Sequence, residues 1–149
     1  MFHPALYFLL FSITLPAMSA QQIEERLDLP LDSWRLVTDG VMGGVSEGRS
    51  TLTEHEGVPC LKMTGNVSTR NNGGFVQVVH DLRDLDRSAL AQFRGVWVRA
   101  RGNGHEYNVH LRTDHLWFPW QAYRATFQTG PQWNGVKIPF SSFAPYKTC

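Results

Sequence analysis

A shortage of cysteine and of charge of one sign removes several function classes at the outset. The chain has 149 residues and only two cysteines, Cys60 and Cys149. There is thus no disulfide framework and no CxxC pair of the kind a structural zinc site uses, and whether the two cysteines pair is left open. Fourteen Lys and Arg residues stand against thirteen Asp and Glu residues, without the basic excess of proteins that bind a nucleic-acid backbone. Nucleic acid is therefore not an expected partner.

Long apolar runs are missing as well, apart from one near the amino terminus. Residues 5–15 carry no charge and are followed by Pro16 and by small residues up to Ala20. This pattern is typical of a secretory signal peptide, and it is shorter than the roughly 20 apolar residues of a membrane span. It predicts a signal peptide over residues 1–20, a flexible lead over 21–31 and one domain over 32–149. The protein is then expected to be exported, periplasmic or secreted, with no stable membrane span after cleavage.

Short alternating stretches make up most of the remaining chain. Apolar and polar residues alternate with the two-residue period of half-buried strands, and glycine-containing turns separate the stretches. They lie at 51–53, 58–64, 75–80, 96–101, 106–113, 123–129 and 136–140. The pair Glu56-Gly57 predicts a hairpin that joins the first two stretches, and Gly102-Asn103-Gly104 predicts a turn after the fourth. Only residues 83–93 have a helical pattern. Seven or so short strands joined by short turns predict an all-β fold, an antiparallel β-sandwich or jelly roll.

Motifs for catalysis or cofactors are few. Residues 44–48 match the G-x-S-x-G pattern of serine hydrolases, but a predicted strand follows Ser46, whereas the hydrolase motif needs a helix there. A hydrolase using Ser46 is kept only as an alternative. His105, His110 and His115 lie five residues apart, which places the first two on opposite faces of a strand. We expect no catalytic residue, cofactor or metal, with a calcium ion held by Asp39 as a lesser alternative.

An aromatic cluster stands out between two predicted strands. Trp117, Phe118 and Trp120 lie beside Arg112 and Asp114. Such residues on a surface could stack on a sugar ring or bind a protein, whereas the high average burial of tryptophan favours packing in the core. Both interpretations remain open from the sequence.

Three segments carry a resemblance to a known family. They are WRLVTDGVMGGVSEG at 34–48, NNGGF at 71–75 and VRARGNGHEYNVHLRT at 98–113. Trp120, residues 123–127, Trp133 and residues 138–140 follow in family order. Over residues 34–145 the sequence resembles the complex I intermediate-associated protein 30 (CIA30) family.

The resemblance implies a galactose-binding-like jelly roll without known catalysis. Mitochondrial members of the family are assembly factors for NADH:ubiquinone oxidoreductase, whereas secreted bacterial relatives have no clear activity, and the predicted signal peptide groups this chain with the latter. Family domains usually continue for a further strand or two beyond residues 139–145, so the resemblance leaves open whether the chain is a carboxy-terminally truncated fragment.

The leading hypothesis is an exported, non-enzymatic module that binds a protein partner in an assembly or chaperone-like role. A carbohydrate-binding module is the alternative. The glycine-rich loops permit compact turns, and the expected binding residues lie in these loops and in the aromatic cluster: Asp39, Gly43, Gly44, Ser46, Arg70, Asn71, Asn72, Arg112, Trp117, Trp120 and Tyr123.

Overall fold

The computed structural model describes residues 26–148, and antiparallel β-strands dominate them. The nine strands of this part are β1 (Arg35–Thr38), β2 (Glu47–His55), β3 (Val58–Asn66), β4 (Val76–Val79), β5 (Gly95–Ala100), β6 (Glu106–Leu111), β7 (Ala122–Gln128), β8 (Asn134–Pro139) and β9 (Ala144–Tyr146). One helical turn, α1, spans Arg87–Leu90. All the strand pairs recorded are antiparallel, so the prediction of an all-β, antiparallel fold is confirmed.

Some sequence predictions fall outside the described residues. The predicted signal peptide, residues 21–25 of the predicted lead, and Cys149 lie there. In the part of the chain that is described, no helix has the length and apolar character needed to cross a membrane. The chain divides into two compact units, the first ending at His80 and the second beginning at Asp81.

The first unit combines a long hairpin with a short strand pair. β2 and β3 pair from Glu47 opposite Asn66 to His55 opposite Val58, and the turn residues Glu56 and Gly57 both have positive φ. The hairpin predicted around this turn is therefore confirmed. β1 pairs with β4 in the same unit.

Two glycines on the hairpin make room for a side chain of β4. Gly48 of β2 and Gly65 of β3 are cross-strand partners. A Cβ on Gly48 would lie 2.5 Å from Cγ1 of Val76, and one on Gly65 would lie 3.2 Å from Cγ2 of the same residue. Because neither glycine carries a side chain, Val76 can pack closely against the hairpin backbone.

The second unit contains a three-stranded sheet in the order β6-β7-β9 and a separate β5-β8 pair. Its buried apolar side chains are Ala122 and Ala125 of β7 and Ile138 of β8. The glycine turn at 102–104 follows β5 as predicted, but β5 pairs with β8 and not with the next strand. The Gly102 amide donates to the carbonyl of Gly130 and so ties this turn to the residues after β7.

The helix predicted over residues 83–93 is reduced to the single turn α1. Asp86 caps it by accepting a hydrogen bond from the amide of Ser88. The next turns are closed by i to i−3 bonds, from Gln92 to Ala89 and from Phe93 to Leu90. Such bonds are the tighter 3-10 pattern in which short helices end.

Candidate functional site

Asp39 lies at the centre of the glycine-rich loop that follows β1. Its side chain is fully buried, at 0% exposed. Oδ1 accepts a hydrogen bond from the Ser46 amide at 2.9 Å, and Oδ2 accepts from the Ser46 hydroxyl at 2.5 Å and from the Gly74 amide at 2.6 Å. One carboxylate thus joins the loop after β1 to the loop before β4. We refer to Asp39, Ser46 and Gly74 as the Asp39 clamp.

The hydrogen bonds of the clamp keep Asp39 ionised. Burial by itself would raise the pKa of this carboxyl group. The Ser46 hydroxyl and the amides of Gly74, Ser46 and Phe75 outweigh it and lower the pKa of Asp39 from 3.8 to about 2. Several donors aimed at one carboxylate are an established cause of such a shift. Asp39 therefore carries its negative charge at neutral pH, and both of its carboxylate oxygens already accept hydrogen bonds.

Two glycines allow the loops to close around this carboxylate. A Cβ on Gly44 would lie 2.3 Å from Cγ of Asp39, and one on Gly73 would lie 2.4 Å from Oδ2. Gly43 has φ 86°, in the left-handed region that suits glycine. Gly43 and Gly44, expected as binding residues, therefore have a structural reason to be glycine.

Ser46 is held inside the loop and is not presented as a nucleophile. It is 7% exposed, and its oxygen also accepts a hydrogen bond from the Ser68 amide at 2.9 Å. Strand β2 begins at the next residue, Glu47, so the strand-to-helix bend of the hydrolase motif is not formed here. The local geometry therefore argues against the hydrolase alternative.

The calcium alternative fits this geometry poorly. The Asp39 oxygens face N–H and O–H donors, whereas a cation needs oxygen ligands turned toward it. Among residues 26–148 no group of three or more His, Cys, Asp or Glu side chains could hold a metal ion.

Arg70, Asn71 and Asn72 form a turn that is closed by a hydrogen bond from the Gly73 amide to the Arg70 carbonyl. All three are exposed, and Asn71 and Asn72 have positive φ. Arg70 also lines a cavity of about 530 Å³ together with Val45, Glu47 and Asn66 to Thr69. The expected polar set is thus divided, because Asp39 and Ser46 face inward while the residues of this turn face solvent.

Apolar side chains are exposed on the Asp39 loop and on the connection that follows β3. Val41 is 76% exposed, and Met42, Val45 and Val67 are exposed as well. Polar groups inside and apolar groups outside are the reverse of the usual arrangement, and exposed apolar patches commonly mark interaction surfaces. Sequence reasoning missed these residues, and the only signal was the pair Val41 and Met42 within a glycine-rich turn.

The aromatic cluster of the second unit is exposed and does not fill a core. Trp117 is 91% exposed, and Phe118 and Trp120 are about half exposed. The rings of Phe118 and Trp120 stack, with centroids 4.8 Å apart and an interplanar angle of 7°. We refer to Trp117, Phe118 and Trp120 as the aromatic knob. Tyr123 lies further along the chain on β7, opposite Leu111 and Pro145, and is partly buried.

Arg112 and Gln121 hold the loop of the knob in place. Nε of Arg112 donates to the Gln121 carbonyl at 3.1 Å, and one of its terminal nitrogens donates to the Phe118 carbonyl at 3.1 Å. The Phe118 amide donates to Oε1 of Gln121, which is buried. Arg112 is thus a positioning residue for the knob, since its guanidinium is used on backbone carbonyls.

A family comparison covers the segments that contain these loops. The model of the family "Complex I intermediate-associated protein 30 (CIA30)" matches residues 21–148. The chain belongs to the CIA30 family. Both glycine-rich loops and the aromatic knob lie within the matched range.

Curated CIA30 relatives are similar over most of this chain. "Complex I intermediate-associated protein 30, mitochondrial" of Drosophila melanogaster is 27% identical over 134 residues, covering 76% of the chain and 43% of the relative. The Mus musculus protein of the same name is 27% identical over 136 residues, covering 82% and 41%. The chain therefore spans less than half the length of these relatives. No solved structure matches, so the galactose-binding-like relationship stays a prediction.

These relatives correct the predicted location. Both CIA30 proteins are mitochondrial by name, which conflicts with a periplasmic or secreted location, and that prediction was wrong. It depended on an apolar stretch of eleven residues followed by small side chains. A compositional pattern of that length is weaker evidence than similarity over three quarters of a chain.

Proposed function

We propose that this chain is a protein-binding module that associates with assembly intermediates of complex I. The names of its relatives state such an association for those proteins, and the chain shares their family over residues 21–148. The exposed aromatic knob is the observation that carries the proposal. It provides the kind of surface that a binding module needs.

The composition of the knob suits a protein interface. Tryptophan is enriched among the residues that dominate binding energy, and aromatic side chains bury about 150–250 Å² each. Trp117 has almost its whole side chain available for burial by a partner.

The rigidity of the loop adds to the affinity expected. Arg112 and Gln121 already fix the Phe118 backbone, and Phe118 stacks on Trp120, so these two rings need little further ordering. Trp117, at 91% exposed, is ordered only when a partner covers it. Ordering an interface side chain costs about 0.5–1.5 kcal/mol, and a preorganised loop avoids much of that cost.

The proposed role is binding without catalysis, in assembly or as a chaperone-like module. It agrees with the hydrogen bonds that the polar groups of the first unit make with each other. Ser46, which belongs to the segment that matches the hydrolase pattern, and Asp39 bind each other and neighbouring amides. The carboxylate has no histidine between itself and the hydroxyl, as a hydrolase triad requires.

The experiment is a binding measurement with purified complex I subassemblies. The full chain is compared with the double variant Trp117→Ala/Trp120→Ala and with Leu52→Ala, whose leucine is also exposed but lies on β2. We expect the double variant to lower affinity by about 30-fold or more, because truncating an interface hot spot costs about 2 kcal/mol. Leu52→Ala should bind like the unchanged chain.

Two results would count against the proposal. If the Trp variant binds as tightly as the unchanged chain, the knob is not part of the interface. If the unchanged chain binds no subassembly, the proposed partner is wrong. Retention on a glycan array that depends on the two tryptophans, without binding to a subassembly, would replace the proposal with the carbohydrate-binding alternative.

A further inference from the structure

A second group of residues in the second unit gathers positive charge around one aromatic ring. In the β6-β7-β9 sheet, His110 pairs with Arg124, and Ala122, two residues before Arg124, pairs with Tyr146. The two-residue period of strands therefore places His110, Arg124 and Tyr146 on the same face. Lys147 follows directly. We refer to these four residues as the Tyr146 cluster.

Both cations of the cluster lie close to the tyrosine ring. The guanidinium carbon of Arg124 is 4.2 Å from the ring centroid of Tyr146, and Nζ of Lys147 is 5.4 Å from it. The ring of His110 stacks on the same tyrosine at 5.3 Å with an interplanar angle of 25°. Two cations are thus both within cation–π range of one ring.

No carboxylate balances this charge within residues 26–148. Neither Arg124 nor Lys147 forms an ion pair there. The acidic residue on the same sheet face is Glu106, opposite Gln128. It precedes His110 by four residues, roughly 13 Å along an extended strand. With His110 neutral, the two cations therefore contribute +2 without an ion-paired carboxylate among residues 26–148.

The geometry leaves the donor groups of the cluster available. A guanidinium packed over a ring uses its face, so the N–H groups at its edge stay free for an anion. Arg124 makes no side-chain hydrogen bond with residues 26–148. Lys147 has φ 51°, a left-handed backbone uncommon for a residue with a side chain, and such conformations concentrate at ligand sites.

His110 adds a polar group that responds to charge. Burial, and then the charge of Arg124, lower the pKa of His110. The neutral imidazole keeps one N–H donor. An anion bound between the cations would offset the repulsion by Arg124 and raise the pKa of His110.

We propose that the Tyr146 cluster is a binding site for a phosphate group. A phosphate dianion matches two fixed positive charges, and its tetrahedral oxygens accept hydrogen bonds from a guanidinium edge, an ammonium and an imidazole N–H together. The site is separate from the aromatic knob and goes beyond the proposed function. The phosphate group can belong to a small phosphate monoester or to a lipid headgroup.

Titration of the purified full chain with inorganic phosphate tests the site. NMR signals of the His110 ring report on binding and on its pKa. We expect saturation in the millimolar range or below and an upward shift of the His110 pKa. Arg124→Gln and Lys147→Gln should each weaken binding about tenfold or more, as the loss of a hydrogen bond to a charged group does. Arg124→Lys should weaken it less, because it keeps the charge but loses the planar donor edge.

A matched control variant distinguishes specific phosphate binding from a general effect of ionic strength. Arg99 lies over the ring of Trp133 at 5.6 Å, so it is also a cation stacked on an aromatic side chain of the same unit. Arg99→Gln should leave phosphate affinity unchanged. Thermal unfolding of each variant checks that the fold is retained, and Arg124→Lys gives a second reading if Arg124→Gln does not fold.

Vesicles distinguish the two sources of phosphate. Binding to phosphatidylcholine vesicles that contain phosphatidic acid, but not to phosphatidylcholine alone, would assign the site to a lipid headgroup if Arg124→Gln abolishes it. Phosphate binding without vesicle binding would assign it to a soluble monoester. The proposal is overturned if phosphate gives no saturable shift, if chloride at equal ionic strength gives the same shift, or if Arg99→Gln weakens binding as much as Arg124→Gln.

Discussion

Replacing Ser46 by alanine tests the Asp39 clamp most directly. The change removes the 2.5 Å hydrogen bond from the hydroxyl to Asp39 and the acceptor of the 2.9 Å hydrogen bond from the Ser68 amide. The Ser46 amide keeps its bond to Asp39. A hydrogen bond to a charged group contributes about 1.5–3 kcal/mol, and a buried donor without an acceptor costs about 1–3 kcal/mol. Since Ser68 is only partly buried, we expect Ser46→Ala to lower the free energy of unfolding by about 2–4 kcal/mol.

Urea unfolding followed by tryptophan fluorescence measures this loss at neutral pH. Ser141→Ala is the matched control, because Ser141 is exposed and makes no side-chain hydrogen bond with residues 26–148. Its stability should stay within about 0.5 kcal/mol of the unchanged chain, as is usual for surface substitutions. In thermal unfolding, the same loss in Ser46→Ala corresponds to about 2–4 °C per kcal/mol for a chain of this size.

The pH dependence provides a second test of the same reasoning. The pKa of Asp39 is lowered from 3.8 to about 2 in the folded protein, so ionised Asp39 stabilises the fold above about pH 4. This contribution is lost as the pH falls from 3.8 toward 2. Because the Ser46 hydroxyl is the leading cause that lowers the pKa, the difference between Ser46→Ala and the unchanged chain should be full at neutral pH and shrink below pH 4.

A difference below about 0.5 kcal/mol at neutral pH would refute the clamp, since it would mean that water replaces the hydroxyl at no cost. A difference that grows as the pH falls would also refute it, because the sign would be opposite to that of a carboxylate stabilised in its charged form.

Three further substitutions follow, two in other parts of the fold and one at Asp39 itself. Gly48→Ala should destabilise by about 1–3 kcal/mol through overpacking against Val76, whose Cγ1 lies 2.5 Å from the added Cβ. The double variant with Val76→Ala should recover part of that loss, whereas Gly130→Ala, with open space around its Cβ, should be nearly neutral in urea unfolding. His80→Phe should raise the free energy of unfolding by about 1–3 kcal/mol, because both ring nitrogens of His80 are buried without a hydrogen-bond partner among the described residues. A lower unfolding midpoint for His80→Phe would contradict this. Asp39→Asn should flatten the acid limb of the stability curve between pH 4 and 2, and an unchanged limb would show that another carboxyl group produces it.

The strands were predictable where they are long and alternate regularly. The β2-β3 hairpin could be located from the Glu56-Gly57 turn, since turn chemistry and alternation act over a few residues. β9 could not, because it has three residues and contains Pro145. The pairing of β5 with β8 joins segments nearly forty residues apart, and no local pattern records such a pairing.

The sequence draws attention to the loops around Asp39 and Ser46 through their glycines, and their role in binding stays a prediction. The sequence does not show that the polar groups of these loops turn inward. Half of the donors that hold Asp39 come from Gly74 and Phe75, far along the chain. For Trp117 the average burial of tryptophan pointed to the core. The side chain is exposed instead, in a loop that Arg112 holds through backbone carbonyls.

The Asp39 clamp has a consequence for local opening motions. One carboxylate accepts the amide hydrogens of Ser46 and Gly74, which lie seven and thirty-five residues away from it. When the Asp39 carboxylate moves away from these donors, both amides lose their hydrogen bonds in the same event. Their protection factors against deuterium exchange under native conditions should therefore match, as for a single cooperative unit of exchange. Local opening of two segments that are far apart in the sequence would then be controlled by one side chain, Asp39.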